Sequence, residues 1–210
     1  MLIKTLTVGN LETNCYIVSN ESLMECVVID PGDESNTILD YLESNHLTCK
    51  AILLTHGHFD HVSAVSAIAE ETGAIIYMNK KDDAEVLHSF LFPLHLPENS
   101  RTIEDGEDIC EAGLAFKAIA TPGHTPGGMT YLTENAMFTG DTLFCGSCGR
   151  TDLDGGNDLD LFASLKKICS LEGDFEIYPG HMDCTTLIRE KTFNFCCRKA
   201  MQNEPEANHA

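Results

Sequence analysis

Four potential metal ligands within six positions, directly after a short apolar run, constrain this chain more than any other feature. The run Ala51-Ile52-Leu53-Leu54 has the composition of a strand buried on both faces, and His56-x-His58-x-Asp60-His61 follows it. In extended backbone His56 and His58 project to the same side, whereas Asp60 and His61 follow where the chain turns into a helix. The two pairs therefore point at neighbouring positions, which predicts two adjacent cations.

Three further short motifs, each next to a predicted strand, complete a set of five histidines and two aspartates. Glycine in each motif allows the backbone to pass close to a crowded polar centre. Without a metal, burying this set would carry a heavy desolvation cost. Imidazole and carboxylate ligands suit Zn, Fe, Mn or Ni, and the absence of thiolates argues for an open catalytic site rather than a closed structural zinc. The motifs are Pro122-Gly123-His124, Gly140-Asp141-Thr142 and Pro179-Gly180-His181.

Strand-like and helix-like segments alternate along the chain twice, once in each half. This order predicts a single α/β domain over residues 1–201, built from two similar halves with two sheets inside and helices outside. A polar tail, residues 202–210, follows. Period-two patterns predict strands at 2–8, 15–19, 26–29, 51–54, 74–78, 114–120, 129–132, 136–139 and 175–178. Helical spacing predicts helices near 38–42, 62–73, 80–88, 159–169 and 184–201.

The charge balance argues against polyanionic partners. The chain has 33 acidic and 13 basic residues and a net charge of −20, so we expect neither nucleic acid nor an anionic membrane surface as a partner. The first residues carry no signal-peptide pattern, and the sequence holds no apolar run long enough to span a bilayer. With ten irregularly spaced cysteines, these features predict a cytoplasmic protein with reduced thiols.

On these motifs the chain resembles the metallo-β-lactamase superfamily over residues 14–181. The resemblance implies a four-layer αββα sandwich of two mixed sheets with two divalent metal ions, zinc first and iron or manganese as alternatives. It implies a first metal on His56, His58 and His124. It implies a second metal on Asp60, His61 and His181, with Asp141 as the bridge.

The segment from Gly140 to Asp152 is similar to hydroxyacylglutathione hydrolases (glyoxalase II), above all to their short bacterial relatives. Only 29 residues follow His181, so we expect the C-terminal helical domain of the full-length enzyme, which grips glutathione, to be absent. The resemblance implies hydrolysis of a small thioester, such as S-D-lactoylglutathione, by a hydroxide that bridges the metals. Asp60 would ligate a metal and orient that hydroxide.

Several residues keep two interpretations. The resemblance implies that Arg150 and Cys148 contact the substrate, but Arg150 is equally suited to an ion pair with a nearby aspartate, either Asp152 or Asp154. Cys145 and Cys148 are three apart, a spacing that metal-binding cysteines share, but without a second pair they are more typical of small packing residues. Asp30 is either a turn former or a partner of a ligand histidine. The segment from Phe90 to Pro97 is either a lid or substrate wall, or a core or subunit contact.

Other functions within the superfamily remain open at this point. A persulfide dioxygenase also carries a Gly-Arg-Thr-Asp segment, here Gly149 to Asp152, but uses one iron. A hydrolase with a different substrate is a further alternative, and its nuclease form is disfavoured by the net charge of −20. A non-catalytic module would lack one or more ligands, and the motifs lack none. The sequence does not indicate an oligomeric state.

Overall fold

The computed structural model of the protein describes residues 1–98 and 100–202. Its strands are β1 (Leu2–Val8), β2 (Thr13–Asn20), β3 (Glu25–Ile29), β4 (Thr48–Leu53), β5 (Ile75–Met78), β6 (Arg101–Thr102), β7 (Asp108–Glu111), β8 (Leu114–Ala120), β9 (Met129–Thr133), β10 (Ala136–Gly140), β11 (Leu143–Phe144), β12 (Ser147–Cys148), β13 (Glu176–Pro179) and β14 (Thr185–Thr186). Its helices are α1 (Ser35–Ser44), α2 (Phe59–Val62), α3 (Val65–Thr72), α4 (Ala84–Leu87), α5 (Asp158–Cys169), α6 (Leu187–Phe193) and α7 (Phe195–Gln202), and a 3₁₀ turn, Lys80–Asp82, precedes α4.

Two six-stranded sheets form the centre of the fold, and both are mixed. The first has the order β1-β2-β3-β4-β5-β6, antiparallel up to β3 and parallel from β3 to β6. The second has the order β14-β13-β10-β9-β8-β7 and is antiparallel except for the pair β10–β13. A separate hairpin, β11–β12, follows β10.

Neighbouring residues of the first sheet serve different cores because successive side chains of a strand point to opposite faces. On β4, Ile52 packs outward in a core shared with Ile38 of α1 and Ile68 of α3. Leu53, the next residue, packs inward in the core that also holds Phe116 of β8. One face of the first sheet therefore carries helices, and the other carries the second sheet.

The second sheet repeats this arrangement on β10. Phe138 faces the first sheet and meets Tyr16 of β2 edge-on, with ring centroids 5.2 Å apart. Met137 faces outward into a third core, which Leu165 of α5 and Cys197 of α7 complete. Helix, sheet, sheet and helix thus stack in four layers, and the predicted αββα sandwich of two mixed sheets is confirmed.

The predicted helices are interrupted more often than their periodicity indicates. The helix expected at 62–73 is split into α2 and α3, and the one at 80–88 is a 3₁₀ turn followed by one turn of helix. The helix expected at 184–201 begins at Leu187 and is broken at Asn194, which has an extended backbone with φ −71° and ψ 122°. The side-chain oxygen of Asn194 accepts a bond from the amide of Cys196 and restarts the helix as α7.

Five strands were not predicted: β6, β7, β11, β12 and β14. Four of them have only two residues each, too short to produce a periodic pattern. Of the predicted polar tail, Gln202 is the last residue of α7, and 203–210 lie outside the described residues. The division of residues 1–201 into two similar halves of one domain stays a prediction. No helix among the described residues is both long and apolar enough to cross a membrane.

Candidate metal centre

The seven residues predicted to bind metal lie together, on the four connections that leave β4, β8, β10 and β13, with Asp60 and His61 on α2. Each of these strands ends just before a predicted ligand or set of ligands. Hydrogen bonds join β2 of the first sheet to the connections of the second. The amide of Asn14 on β2 donates to the carbonyl of Gly180, and the amide of Gly180 donates to the carbonyl of Gly140. Three groups of side chains offer ligand atoms within 4.8 Å of one another: His56, His58 and His124; Asp60, His61 and His181; and Asp30, His56 and His61.

The first cation group, defined as His56, His58 and His124, consists of imidazoles alone, and all three are buried. His124 Nε2 lies 2.9 Å from His58 Nδ1. His56 Nε2 is buried without a hydrogen-bond partner among the described residues. A buried ring nitrogen without a partner is costly in a protein interior, and a cation between these rings would satisfy it.

The electrostatics of the first cation group favour neutral imidazoles. Burial, followed by the neighbouring histidines, lowers the pKa of His56 well below its usual value. Burial and then His124 lower the pKa of His58 to about 3. Metals bind the neutral form of histidine, so at neutral pH protons do not compete for His56 and His58. The residues present therefore fit a divalent metal ion.

The second cation group, defined as Asp60, His61 and His181, combines imidazoles with a carboxylate. His181 Nε2 lies 3.3 Å from Asp60 Oδ2 and 3.4 Å from His61 Nε2. His61 is fully buried, whereas the side chain of His181 is 22% exposed and that of Asp60 is 15% exposed. This group therefore reaches the solvent while the first lies deeper.

Asp141 stands between the two cation groups. Its Oδ2 lies 3.4 Å from His124 Nε2 of the first group and 3.6 Å from His181 Nε2 of the second. Its Oδ1 lies 3.4 Å from His61 Nε2 and is buried without an aligned hydrogen bond. A carboxylate that faces both groups is suited to bridge two cations, as the sequence analysis predicts.

Carboxylates reverse the pKa shifts in the second cation group. Burial lowers the pKa of His61, but Asp141 and Asp30 outweigh it and hold that pKa well above the usual value. Burial likewise opposes the rise in the pKa of His181, which Asp60 and Asp141 produce. The histidines in turn outweigh burial at both carboxylates and lower the pKa values of Asp60 and Asp141. Without a metal, this group is a network of ion pairs.

Asp30 orients His61 through the ring nitrogen that points away from the cation position. This contact favours the role of Asp30 as a histidine partner over its role as a turn former. Its Oδ2 lies 3.0 Å from His61 Nδ1, and its Oδ1 accepts a 2.7 Å bond from the amide of Thr55. A carboxylate at Nδ1 leaves Nε2 free to face the cation position. On the first cation group, the carbonyl of Arg150 acts similarly, 2.7 Å from His124 Nδ1.

Asp82 is a further site residue that the sequence analysis missed. Its buried carboxylate accepts the amide of Gly57 at 3.0 Å and the amide of Gly127 at 2.6 Å. Gly57 lies between His56 and His58, so Asp82 joins the loop of the first sheet to the loop of His124. Burial raises the pKa of Asp82 to about 6. No ligand-like spacing marks Asp82, so only the folded contact reveals its role.

Gly180 shows why glycine adjoins the ligands. A Cβ at this position would overlap Asp141 Oδ1 and would come within 2.7 Å of the ring of His61. Both atoms belong to buried groups that cannot move without disturbing the cation groups. The predicted role of glycine in bringing backbone close to the polar centre is confirmed at this position.

Both cation groups open onto one cavity of about 590 Å³. Residues of each group line its floor, including His58 and His124 from the first and Asp60 and His181 from the second. A cavity of this size suits a small molecule rather than a polymer. Its remaining wall is mainly apolar and includes Leu11, Phe59, Leu91, Phe144, Leu153 and Met182.

The two predicted substrate contacts, Arg150 and Cys148, also line the cavity. The guanidinium of Arg150 forms a two-pronged ion pair with Asp152, with N–O distances of 2.6 and 2.7 Å. The structure thus shows the ion-pair alternative for Arg150, with Asp152 as the partner. Cys148 lies on β12, and Cys145 contacts Nη1 of Arg189 on α6 at 3.2 Å.

The apolar segment from Phe90 to Pro97 contributes both to the core and to the cavity wall. Phe92 is fully buried and packs on the ring of His58, with centroids 4.6 Å apart. Leu91 lines the cavity, and its carbonyl accepts a 2.8 Å bond from the amide of Phe59. Phe90, in contrast, is 86% exposed. Core and substrate-wall interpretations thus apply to different residues of the same segment.

The family model described as Metallo-beta-lactamase superfamily matches residues 8–181 of the chain. An uncharacterized protein of Aquifex aeolicus (strain VF5) is 36% identical, and the match covers 92% of this chain and 96% of the relative. The probable polyketide biosynthesis zinc-dependent hydrolase BaeB of Bacillus velezensis is 34% identical, over 80% of this chain and 72% of BaeB.

Two solved structures are also similar to this chain over most of its length. TTHA1623, in a di-iron-bound form, is 35% identical with a TM-score of 0.78, covering 91% of this chain and 98% of its own. ETHE1 from Myxococcus xanthus is 27% identical with a TM-score of 0.83, covering 96% and 88%. With the fold, the two cation groups and the family match taken together, this chain belongs to the metallo-β-lactamase superfamily.

Proposed function

We propose that this protein is a metal-dependent hydrolase that cleaves a small acyl thioester of the S-D-lactoylglutathione type. The observation that carries the proposal is the pair of cation groups that share Asp141 and open onto one small-molecule cavity. The relative BaeB, named as a zinc-dependent hydrolase, supports zinc as the metal, and the di-iron form of TTHA1623 supports two ions per chain.

Seven residues would bind the metal ions, and two further groups orient the histidines among them. His56, His58 and His124 would hold one ion, and Asp60, His61 and His181 the other, with Asp141 between them. When bound, two divalent cations lower the pKa of a water molecule and polarise a carbonyl group. Asp30 and the carbonyl of Arg150 fix the orientation of the histidine rings that face the ions.

Asp60 is the proposed catalytic residue. Its side chain is partly exposed at the cavity, and the neighbouring histidines keep its pKa low, so it is ionised at neutral pH. The hydroxyl of Thr13 donates a 3.3 Å bond to its Oδ2 and limits its rotation. An ionised carboxylate in this place would help to hold one metal ion and would orient the attacking hydroxide. A thiolate leaving group needs little help from an acid, because the pKa of a thiol is about 8.5.

The apolar lining of the cavity favours a thioester with apolar groups near the scissile bond. Leu11, Phe144 and Met182 offer apolar surface beside His181, while Cys148 and Arg150 are the proposed polar contacts. Arg150 is the cationic residue of this lining, and Asp152 already neutralises it. We therefore expect the acyl group and thiol to be held mainly by apolar contact.

Elemental analysis combined with thiol release from S-D-lactoylglutathione tests the proposal. We expect two equivalents of zinc per chain and thiol release that is lost in Asp60→Ala. A neutral acyl thioester without the glutathione carboxylates serves as the second substrate. Two bound metals without turnover of either thioester would discard the substrate class while leaving the metal centre intact. Asp108→Ala, at an exposed carboxylate on β7, is the matched control.

A persulfide dioxygenase with one iron is the second candidate. The segment Gly149-Arg150-Thr151-Asp152 and the fold similarity to ETHE1 favour it. The two functions differ in metal content and in their use of oxygen. One equivalent of iron per chain, with oxygen consumed when a persulfide is added, would support this candidate over the thioesterase.

A further inference from the structure

Cysteines form three close pairs in this structure. Cys148 Sγ on β12 lies 2.8 Å from Cys196 Sγ on α7. Cys26 and Cys49 are neighbours across β3 and β4, with their thiols hydrogen-bonded. Cys169 and Cys197 make a similar thiol contact between α5 and α7. All ten cysteines of the chain are free thiols.

Only one of these three pairs is open to solvent. Cys26, Cys49, Cys169 and Cys197 are buried in hydrophobic cores, whereas Cys148 and Cys196 are both only partly buried. Cys148 also lines the cavity above the cation groups. A small water-soluble oxidant that enters the cavity therefore reaches Cys148, the neighbour of Cys196, before a thiol of either buried pair.

The position of this pair is fixed by Asn194, between α6 and α7. Its Nδ2 donates a 2.8 Å bond to the carbonyl of Ser147, the residue before Cys148. Its Oδ1 accepts a 2.8 Å bond from the amide of Cys196. One buried side chain thus holds the backbone beside both cysteines. A disulfide bond is about 2.05 Å long, so the two sulfurs need to approach by only about 0.8 Å.

We propose that Cys148 and Cys196 form a reversible disulfide when the protein meets hydrogen peroxide, which makes this pair an oxidation site in the cavity wall. In the first step a sulfur attacks peroxide, so an S–O bond forms, the O–O bond breaks, and water leaves. In the second step the other sulfur attacks the resulting sulfenic acid, an S–S bond forms, the S–O bond breaks, and a second water leaves. Two thiols are oxidised, and one peroxide is reduced to two waters.

The two cysteines differ in their surroundings. Cys148 lines the cavity, and burial followed by the neighbouring thiol of Cys196 raises the pKa of Cys148 to about 12. The thiolate is the reactive form, so the first attack on peroxide follows the deprotonation of one of the two thiols, and the other sulfur then resolves the sulfenic acid. The product links the hairpin β11–β12 covalently to α7 and removes the Cys148 thiol from the cavity.

Mass spectrometry of the full-length purified protein tests the proposal directly. The protein is treated with about one equivalent of peroxide, denatured, alkylated and digested with trypsin, with dithiothreitol reduction as the reverse step. We expect the loss of two of the ten alkylatable thiols and a cross-link between peptides 118–150 and 192–198. Because these peptides also contain Cys145 and Cys197, fragmentation spectra must assign the link to Cys148 and Cys196.

Two variants sharpen this test. Cys196→Ser should keep all nine of its thiols after peroxide, whereas Cys110→Ser, at an exposed cysteine on β7, should still lose two. A link confined to Cys26–Cys49 or Cys169–Cys197, or the absence of any link in the wild type, would overturn the proposal. If Cys196→Ser does not fold, mapping of the wild type and Cys110→Ser alone decides. No readout depends on turnover, so the result is independent of the proposed hydrolase activity.

Discussion

The two cation groups lie side by side, but the pKa values of their histidines are shifted in opposite directions. The first consists of buried histidines alone, and in it the pKa values of His56 and His58 are lowered and a ring nitrogen of each is unpartnered. The second contains a carboxylate, reaches the solvent, and has raised histidine pKa values. The first group is therefore ready to receive a metal at neutral pH, whereas the second must first release protons. The two groups differ because the histidines of the first are buried without a carboxylate among them, whereas the second includes Asp60.

The largest effect is expected from Asp141→Ala, because Asp141 is the residue that faces both groups. Loss of a residue that only orients a ligand commonly costs 10–100-fold, so loss of a shared ligand should lower turnover by more than about 100-fold. Elemental analysis should show both metal equivalents reduced, whereas Asp108→Ala should retain both. A variant with two metals and full turnover would show that Asp141 is not shared.

Asp30→Asn should affect the second group more than the first. Asp30 contacts Nδ1 of His61 and the backbone of Thr55, and removal of such an orienting carboxylate costs roughly 10–100-fold in metal affinity. Competition with a chelator should show this loss for the second equivalent of metal, with a smaller change for the first. Asp33→Asn, at an exposed position on the same turn, is the control. Equal weakening of both equivalents would contradict the distinction.

Acidification should remove the second metal before the first. The raised pKa values of His61 and His181 mean that protons compete with metal already above about pH 6.5, the usual histidine pKa, whereas the pKa of His58 is about 3. Between about pH 8 and pH 5 the metal content should fall from two equivalents to one. Metal content after dialysis at each pH measures this directly. Simultaneous loss of both metal equivalents would contradict the difference in proton competition between the two cation groups.

Asp82→Asn should change the pH dependence of stability. The pKa of Asp82 is raised to about 6 by burial, so its favourable contribution is present below its unfolded pKa and is lost as pH rises through 6. Between about pH 4 and pH 7 this corresponds to about 3 kcal/mol of unfolding free energy in the metal-free wild type. The variant should lack this slope and carry a constant loss for the amides of Gly57 and Gly127. Urea unfolding at several pH values measures the free energy of unfolding of the wild type and of Asp82→Asn. If both proteins show the same dependence of this free energy on pH, the dependence comes from groups other than Asp82.

The smallest effect is expected at Arg150, on the rim of the cavity. Because Asp152 already pairs with its exposed guanidinium, Arg150→Gln should change the KM for S-D-lactoylglutathione only a few-fold. Asp152→Asn should free the guanidinium and lower the KM for this anionic thioester but not for a neutral one. Steady-state kinetics with both substrates give the answer. A large KM increase in Arg150→Gln would show that Arg150 contributes more to substrate binding than its pairing with Asp152 allows.

Short motifs and strand patterns were enough to predict the four layers and the seven residues at the centre, since both depend on local spacing. Asp82 could not be predicted in this way, because its partners Gly57 and Gly127 become neighbours only when the two sheets pack. Asn194 was missed for a related reason. Its position inside a helical pattern hides the two long-range bonds to Phe144 and Ser147 that break the helix.

Both cation groups cross the seam between the two sheets. His56, His58, Asp60 and His61 follow a strand of the first sheet, whereas His124, Asp141 and His181 follow strands of the second. Neither group can be assembled from one sheet and its loops alone. For recombination between relatives, the unit that can be exchanged with its chemistry intact is therefore the whole sandwich, and a chimera that joins sheets from two parents must preserve the match across the seam.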